Sequence, residues 1–188
     1  MNRNLEIAPS LPPAVQKVSS NLQRWGFVGF WLQLILGIIA IVTLLFSISP
    51  GGKESSSGNQ FGILCAFLSI IILAIAIFGF YFRYKKIGQK IQNLEAKQRP
   101  KKSDTIQLIK IGLVLNLVGI LLALLGAEAL VGLALGKSLT LTPQLIGSDP
   151  QNFVNSLDLL IIQANTNTII AHFAGVVTSL LLLNKISS

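Results

Sequence analysis

Four long apolar stretches separated by short polar ones set the pattern of this chain: Trp25–Ser49, Phe61–Phe82, Ile106–Leu135 and Leu157–Leu183. A bilayer core of ~30 Å needs about 20 mostly apolar residues in a helix rising ~1.5 Å per residue. All four stretches reach that length. The third exceeds it, which predicts a tilt or a protruding end. Leu, Ile, Val and Gly dominate, without the period-two alternation of a transmembrane barrel strand. The pattern predicts an all-α polytopic membrane protein, a single four-helix domain over residues 1–188. Residues 1–24 precede the first span, and residues 83–105 connect the second to the third.

Weaker periodicity flanks the spans. Val15, Val18, Leu22 and Trp25 recur at helical spacing after Pro13, and Tyr84, Ile87, Ile91 and Leu94 do so after the second span. Both predict short amphipathic helices, which either pair as a hydrophobic seam or lie on the membrane surface with lysines outward. Arg99-Pro100 is expected to end the second of these, because the residue before proline is pushed out of the helical region. Asp104 then suits the N-cap of the third helix, with Gln107 three residues on. Pro50-Gly51-Gly52 and Ser55–Gly58 predict a short loop. Thr142-Pro143 and Gly147-Ser148 predict another, with Asp149 capping the last helix and Pro150 opening it.

Charge adds orientation. Thirteen of the fifteen Lys and Arg residues fall on the N-terminal segment, the 83–105 connection with its edge at Lys110, and the tail. The two opposite loops hold only Lys53 and Lys137. By the positive-inside rule both termini and the middle loop are expected to be cytoplasmic. The composition, 52% hydrophobic and 12% charged with a net charge of +8, lies outside the ordinary soluble range. The charge then reads as topology plus attraction to anionic lipid at the basic loop, worth ~1 kcal/mol per basic residue near the surface. No aromatic-interleaved basic groove argues for nucleic acid. The single cysteine, Cys65, excludes an internal disulfide. The first span is too long for a signal peptide and lacks an A-x-A site. The 24 residues before it lack the Ser/Arg-rich character of a transit peptide, so a bacterial source or a processed chain is expected.

Small and polar residues line one face of each span. They are Gly26, Gly29, Gln33 and Gly37 in the first, and Gly62, Cys65, Ser69, Ala76 and Gly79 in the second. The third carries Gly112, Asn116, Gly119, Ala123 and Gly126; the fourth, Asn165, Thr168, His172, Gly175 and Ser179. Small residues let helices approach closely in lipid, so Gly112, Gly119, Gly126 and Gly175 are candidate helix-packing positions.

The polar side chains admit a second reading. Gln163 and the run Asn165, Thr166, Asn167, Thr168 surround the fourth helix on every side, so they cannot all meet one neighbour. They are either interhelical hydrogen-bonding glue, worth ~0.6–2 kcal/mol each, or part of a pathway or binding site. His172 and Glu128 are the ionisable side chains well inside the spans. Together a His and a carboxylate suit a transition metal or a proton relay. At ~1.5 Å per residue, however, Glu128 lies ~7 Å below the outer edge and His172 ~22 Å below it. Glu128 also sits ~200° around its helix from the glycine stripe. One shared His172–Glu128 metal site is therefore not expected. Separate positions along a path, contacts across an oligomer, an interfacial Glu128 and a hydrogen-bonded packing His172 stay open.

No enzyme signature is present: no H-E-x-x-H, no C-x-x-C, no phosphate-binding loop. Gln163–Phe173 (Q-A-N-T-N-T-I-I-A-H-F) and Gly126–Leu139 (G-A-E-A-L-V-G-L-A-L-G-K-S-L) resemble the four-helix family of the chloroplast inner-envelope protein Tic-twenty-one, also called the chloroplast permease, which has many cyanobacterial members. The resemblance runs from Pro13 to Lys185. It implies residence in a cyanobacterial plasma or thylakoid membrane, or in the chloroplast inner envelope. It also implies one of two functions. The first is iron permeation, with Gln163, Asn165, Asn167, Thr168 and His172 as carriers, and Glu128 as a further one. The second is membership of a protein-translocation or assembly complex. No bound cofactor is expected beyond transported iron. A four-helix monomer is a thin wall for a pore, so a homo-oligomer or larger complex is expected.

Overall fold

The computed structural model describes residues 12–47, 57–92, 100–139 and 156–187. Four helices make up the fold: α1 (Pro13–Ser47), α2 (Ser57–Ile91), α3 (Lys102–Leu139) and α4 (Ser156–Ser187). No strand occurs among the described residues. All four helices are long and apolar enough to cross a membrane. Around the bundle, α1 packs on α2, α2 on α3, α3 on α4 and α4 on α1, with α2 and α4 touching across the diagonal.

The bundle is apolar outside and small or polar inside. Phe27, Ile35, Ile38, Leu45, Ile71, Leu121 and Phe173 all lie on the exposed surface. Buried positions on α3 are Thr105, Ile109, Gly112, Asn116, Gly119, Ala123, Gly126 and Leu130, one stripe along a single face. This arrangement follows from the solvent. Lipid rewards large apolar side chains outside, and close backbone packing holds the helices together inside. Backbones of α2 and α3 come close at a pair of glycines. A Cβ at Gly126 would stand 3.0 Å from the Gly62 carbonyl oxygen, and one at Gly62 3.1 Å from the Gly126 carbonyl oxygen. One expected stripe member fails: Gly79 is exposed, with nothing within 4 Å of where its Cβ would be.

The two amphipathic segments are not separate helices. Residues 13–24 continue straight into α1, and residues 84–91 are the last turns of α2. No proline interrupts either junction, and the two extensions stabilise each other. Leu22, Tyr84 and Ile91 are buried in one cluster with Phe80, Ile109 and Leu182. The Ser19 hydroxyl donates to the Gly88 carbonyl at 2.7 Å across the pair. Of the two expected arrangements, the hydrophobic seam is the one formed.

Three boundary expectations are corrected. α2 closes at Ile91, with the Gln92 N–H bonding the Gln89 carbonyl at 3.1 Å, well before the Arg99-Pro100 step. α3 starts at Lys102, so Asp104 lies inside its first turn rather than at the cap. The Asp104 N–H and Thr105 N–H both reach the Lys101 carbonyl, and the acid still complements the positive helix end. Ser57 and Gly58, expected in a loop, open α2. The Asp149-Pro150 start, the 142–148 loop, Leu94 and Arg99 lie outside the described residues.

Candidate functional site

The polar residues of the stripes meet at mid-depth, where α1, α2, α3 and α4 converge on one histidine. His172 is fully buried. Its Nδ1 lies 3.0 Å from Asn116 Oδ1, and its Nε2 lies 3.2 Å from the Ser69 carbonyl oxygen. The Asn116 amide is oriented by its own helix, because Nδ2 donates to the Gly112 carbonyl at 2.9 Å. Its Oδ1 therefore faces His172, and it also accepts from Gln33 Nε2 at 2.8 Å. On the far side, the Ser69 hydroxyl donates to the Gly119 carbonyl at 2.8 Å.

Two glycines make room for this cluster. A Cβ at Gly119 would run into the His172 ring, and one at Gly175 would strike Gln33 Nε2 and Asn116. The glycines expected for packing thus have a second effect at these two positions, admitting the polar side chains to the bundle axis.

Both ring nitrogens of His172 face oxygens that only accept. A neutral imidazole carries one N–H and satisfies one of them at a time, whereas a doubly protonated ring satisfies both. Coordination of a metal ion by either nitrogen requires the contact with Asn116 or Ser69 to open first. Among the described residues, no three His, Cys, Asp or Glu side chains converge as a metal centre.

Polar groups continue in both directions from this centre. Toward the Lys110 side, a cavity of about 20 Å³ is lined by Gln33, Asn116, Tyr84, Thr178 and Ser179, which is room for about one water. There the Ser179 hydroxyl donates to the Gly175 carbonyl at 2.9 Å. Toward the Glu128 side, Thr168 is buried and bonds the Ala164 carbonyl at 2.8 Å. One turn further, Asn165 is fully buried, with Nδ2 on the Ile161 carbonyl at 3.2 Å and Oδ1 lacking a hydrogen-bond partner. That orphan oxygen points at Gly126, beside Cys65.

The remaining expected carriers stand off this buried line of polar groups. Gln163 is exposed and donates from Nε2 to Asn167 Oδ1 at 3.2 Å. Asn167 is half-buried, and Thr166 is exposed and bonded to the Ile162 carbonyl. Glu128 is exposed as well. It lies nine residues beyond Gly119, half a turn around α3 and about 13 Å along it, so it does not approach His172. Sequence reasoning placed Gln33, Asn116 and Ser69 on the inner faces without assigning them to His172. Depth carried the missing signal. Counted from the span edges at Trp25, Ile106 and Leu183, Gln33, Asn116 and His172 lie roughly 12, 15 and 17 Å in.

At the opposite end, Lys137 Nζ pairs with Asp158 Oδ2 at 2.8 Å, tying the end of α3 to the start of α4. Each charge also complements the dipole of the helix that carries it.

Comparison with known proteins gives one family and one named relative. The model of a family described as "Protein of unknown function (DUF3611)" matches residues 12–187. A protein of Arabidopsis thaliana, "Protein TIC 21, chloroplastic", is 32% identical over 182 residues, covering 92% of this chain and 59% of that protein. The chain therefore spans less than two thirds of the length of that relative. No solved structure matches.

Proposed function

This chain belongs to the DUF3611 family, is of the type of the chloroplast protein TIC 21, and has four helices fit to span a membrane; on that premise we propose that it is a membrane transport protein with ferrous iron as its first candidate cargo. The path follows the buried polar file from Asn165 through Thr168 and His172 to Asn116 and Gln33. One observation carries this reading: an ionisable side chain lies fully buried at mid-depth, in a polar cluster fed by all four helices. Ionisable residues at that depth are costly and mark substrate or proton pathways. Asn165 Oδ1, buried without a partner, adds an oxygen free to take a cation or water. The cavity beside Gln33 holds about one water, so passage of an ion requires the helices to separate there.

The test is ferrous-iron uptake into sealed proteoliposomes, comparing the natural protein with the Asn165→Ala, His172→Ala double variant. Saturable uptake lost in a variant that keeps its helicity and its unfolding transition supports the reading. Unchanged uptake removes the axial file as the path. No uptake above empty liposomes removes iron as the cargo.

A second reading, a subunit of a translocation or assembly complex, is favoured by a different observation. Gln163, Thr166 and Glu128 are polar groups on the outer surface of membrane-spanning helices. A partner helix satisfies such groups where lipid does not. Photocrosslinkers at these positions that capture only lipid would remove this reading.

A further inference from the structure

Away from the polar file, a cavity of about 580 Å³ lies between residues 20–27 of α1 and the end of α2. We propose that it binds one anionic phospholipid per protomer, with the phosphate between Arg24 and Lys85 and the acyl chain over Phe27 and Tyr81. The two cations line the cavity from opposite helices, and both are exposed. Among the described residues neither pairs with a carboxylate, and no acidic side chain lines the cavity. A guanidinium can grip two phosphate oxygens at once, and the ammonium adds a point charge beside it.

Depth selects a lipid. Counted from the span edges at Trp25 and Phe82, Phe27 lies about 3 Å and Tyr81 about 1.5 Å inside the apolar stretches. Arg24 lies about 1.5 Å and Lys85 about 4.5 Å outside them. The headgroup layer is ~5–8 Å thick on each side of the hydrocarbon core. Both cations therefore stand at headgroup level with aromatic surface below them, which is the order of the parts of a lipid. Leu22 and Tyr84, apolar lining at the level of the cations, are buried in the bundle and form the floor. Farther out, the cavity is lined by the polar Ser20 and Gln92.

The aromatic surface continues into the membrane. Phe27 meets Trp31 edge-on at 6.1 Å, and Phe30 of α1 stacks on Tyr81 of α2 at 4.2 Å. Phe78 meets Phe30 at 6.2 Å. Phe78, Phe30 and Trp31 lie roughly 6, 7.5 and 9 Å inside the spans. An acyl chain below the phosphate thus runs over rings, and Trp and Tyr favour this interfacial zone. A soluble acidic peptide would have to enter the hydrocarbon layer to cover Phe27, which is exposed. The site differs from diffuse attraction to the basic 83–105 connection. It joins a cation of α1 to one of α2, and Arg83 and Lys86, close to Lys85 in sequence, do not line it.

The test is native mass spectrometry of the full chain released from nanodiscs of phosphatidylglycerol and phosphatidylcholine, paired with lipid titration in detergent. One phosphatidylglycerol per protomer is expected to be retained in preference to phosphatidylcholine. The variant Arg24→Gln, Lys85→Gln loses affinity by about 25-fold, at roughly fivefold per cation. The control Arg83→Gln, Lys86→Gln removes the same charges at nearly the same depth and keeps the lipid. All four residues are exposed, so both variants are expected to fold, and their unfolding transitions check this. Equal loss in the control would overturn the proposal in favour of diffuse charge, and equal retention of phosphatidylcholine would overturn the anionic preference. Displacement by millimolar inorganic phosphate would assign the cations to a free anion. A photocrosslinker at Phe27 is expected to capture phosphatidylglycerol; capture of the chain's own 83–105 connection or of another protein would overturn the lipid as occupant.

Discussion

Gly119→Ala tests the central cluster directly. The added Cβ would occupy the same space as His172 Cε1 and Nε2, whereas non-bonded carbons rest at ~3.5–4.0 Å. The ring cannot shift without leaving Asn116 Oδ1 or the Ser69 carbonyl. Overpacking of this kind costs ~1–3 kcal/mol, and a lost interhelical hydrogen bond in a membrane ~0.6–2 kcal/mol. The better helix propensity of alanine returns up to ~1 kcal/mol. The net expectation is a loss of about 2–3 kcal/mol, read as a shifted unfolding midpoint in an SDS titration from bicelles. Gly132→Ala is the matched control: it lies on the same helix with nothing within 4 Å, so it is expected to be neutral or slightly stabilising. The decisive variant is the double, Gly119→Ala with His172→Ala. Removing the ring removes the clash, so the two losses should fall short of additivity by about 1–3 kcal/mol. An additive double, or a Gly119→Ala protein as stable as the natural one, would refute this packing.

Ser19→Ala removes the bond to the Gly88 carbonyl and should cost about 1 kcal/mol, with faster amide exchange confined to residues 13–24 and 84–91. Lys137→Gln and Asp158→Asn should each cost roughly 1 kcal/mol or less, since the pair is partly solvent-screened, with side chains 28% and 15% exposed. A double-mutant cycle should show coupling that shrinks as salt rises; coupling indifferent to salt would contradict a Coulombic origin. Gln163→Cys in a chain with Cys65→Ala should form disulfide-linked dimers in membranes if the exposed amide face meets a second copy, and remain monomeric if it faces lipid.

The sequence pattern carried the architecture because lipid makes the rule simple. Length and hydropathy gave four helices, and small residues at helical spacing gave their inner faces. Gly26, Gly29, Gly37, Gly62, Gly112, Gly119, Gly126 and Gly175 are all buried as that rule requires. Gly79 broke it because a glycine in lipid has no side chain to declare a face. The polar run on α4 was also legible as a geometric problem: its residues could not share one neighbour, and they do not. Asn165 and Thr168 turn inward while Gln163 and Thr166 turn out. Which inner polar groups would meet was harder. It depends on relative helix depth to within a turn, and a single sequence gives span edges only to several residues. The same uncertainty hid the merging of the amphipathic segments with α1 and α2, since periodicity weakens at the membrane edge without the helix stopping.

Where the polar file stops bears on how anything could cross. At Tyr84 it enters a buried cluster, and beyond it stand Leu22, Ile109 and Leu182. Beyond Asn165 it meets Leu44, Leu130 and Ile161. Both ends of the axis are thus closed by apolar side chains, and an ion on the axial path must pass them. Leu130→Ala probes the plug beyond Asn165. Leu130 is 4% exposed and packs against Gly62. Truncation should cost ~2–4 kcal/mol of stability while opening the Glu128 end of the file toward the orphan oxygen of Asn165. If transport is axial, uptake per folded protein should rise, and the added His172→Ala should abolish the gain. If cargo instead passes between protomers, Leu130→Ala should leave uptake unchanged, and Glu128→Gln or Gln163→Ala, on the outer surface, should alter it.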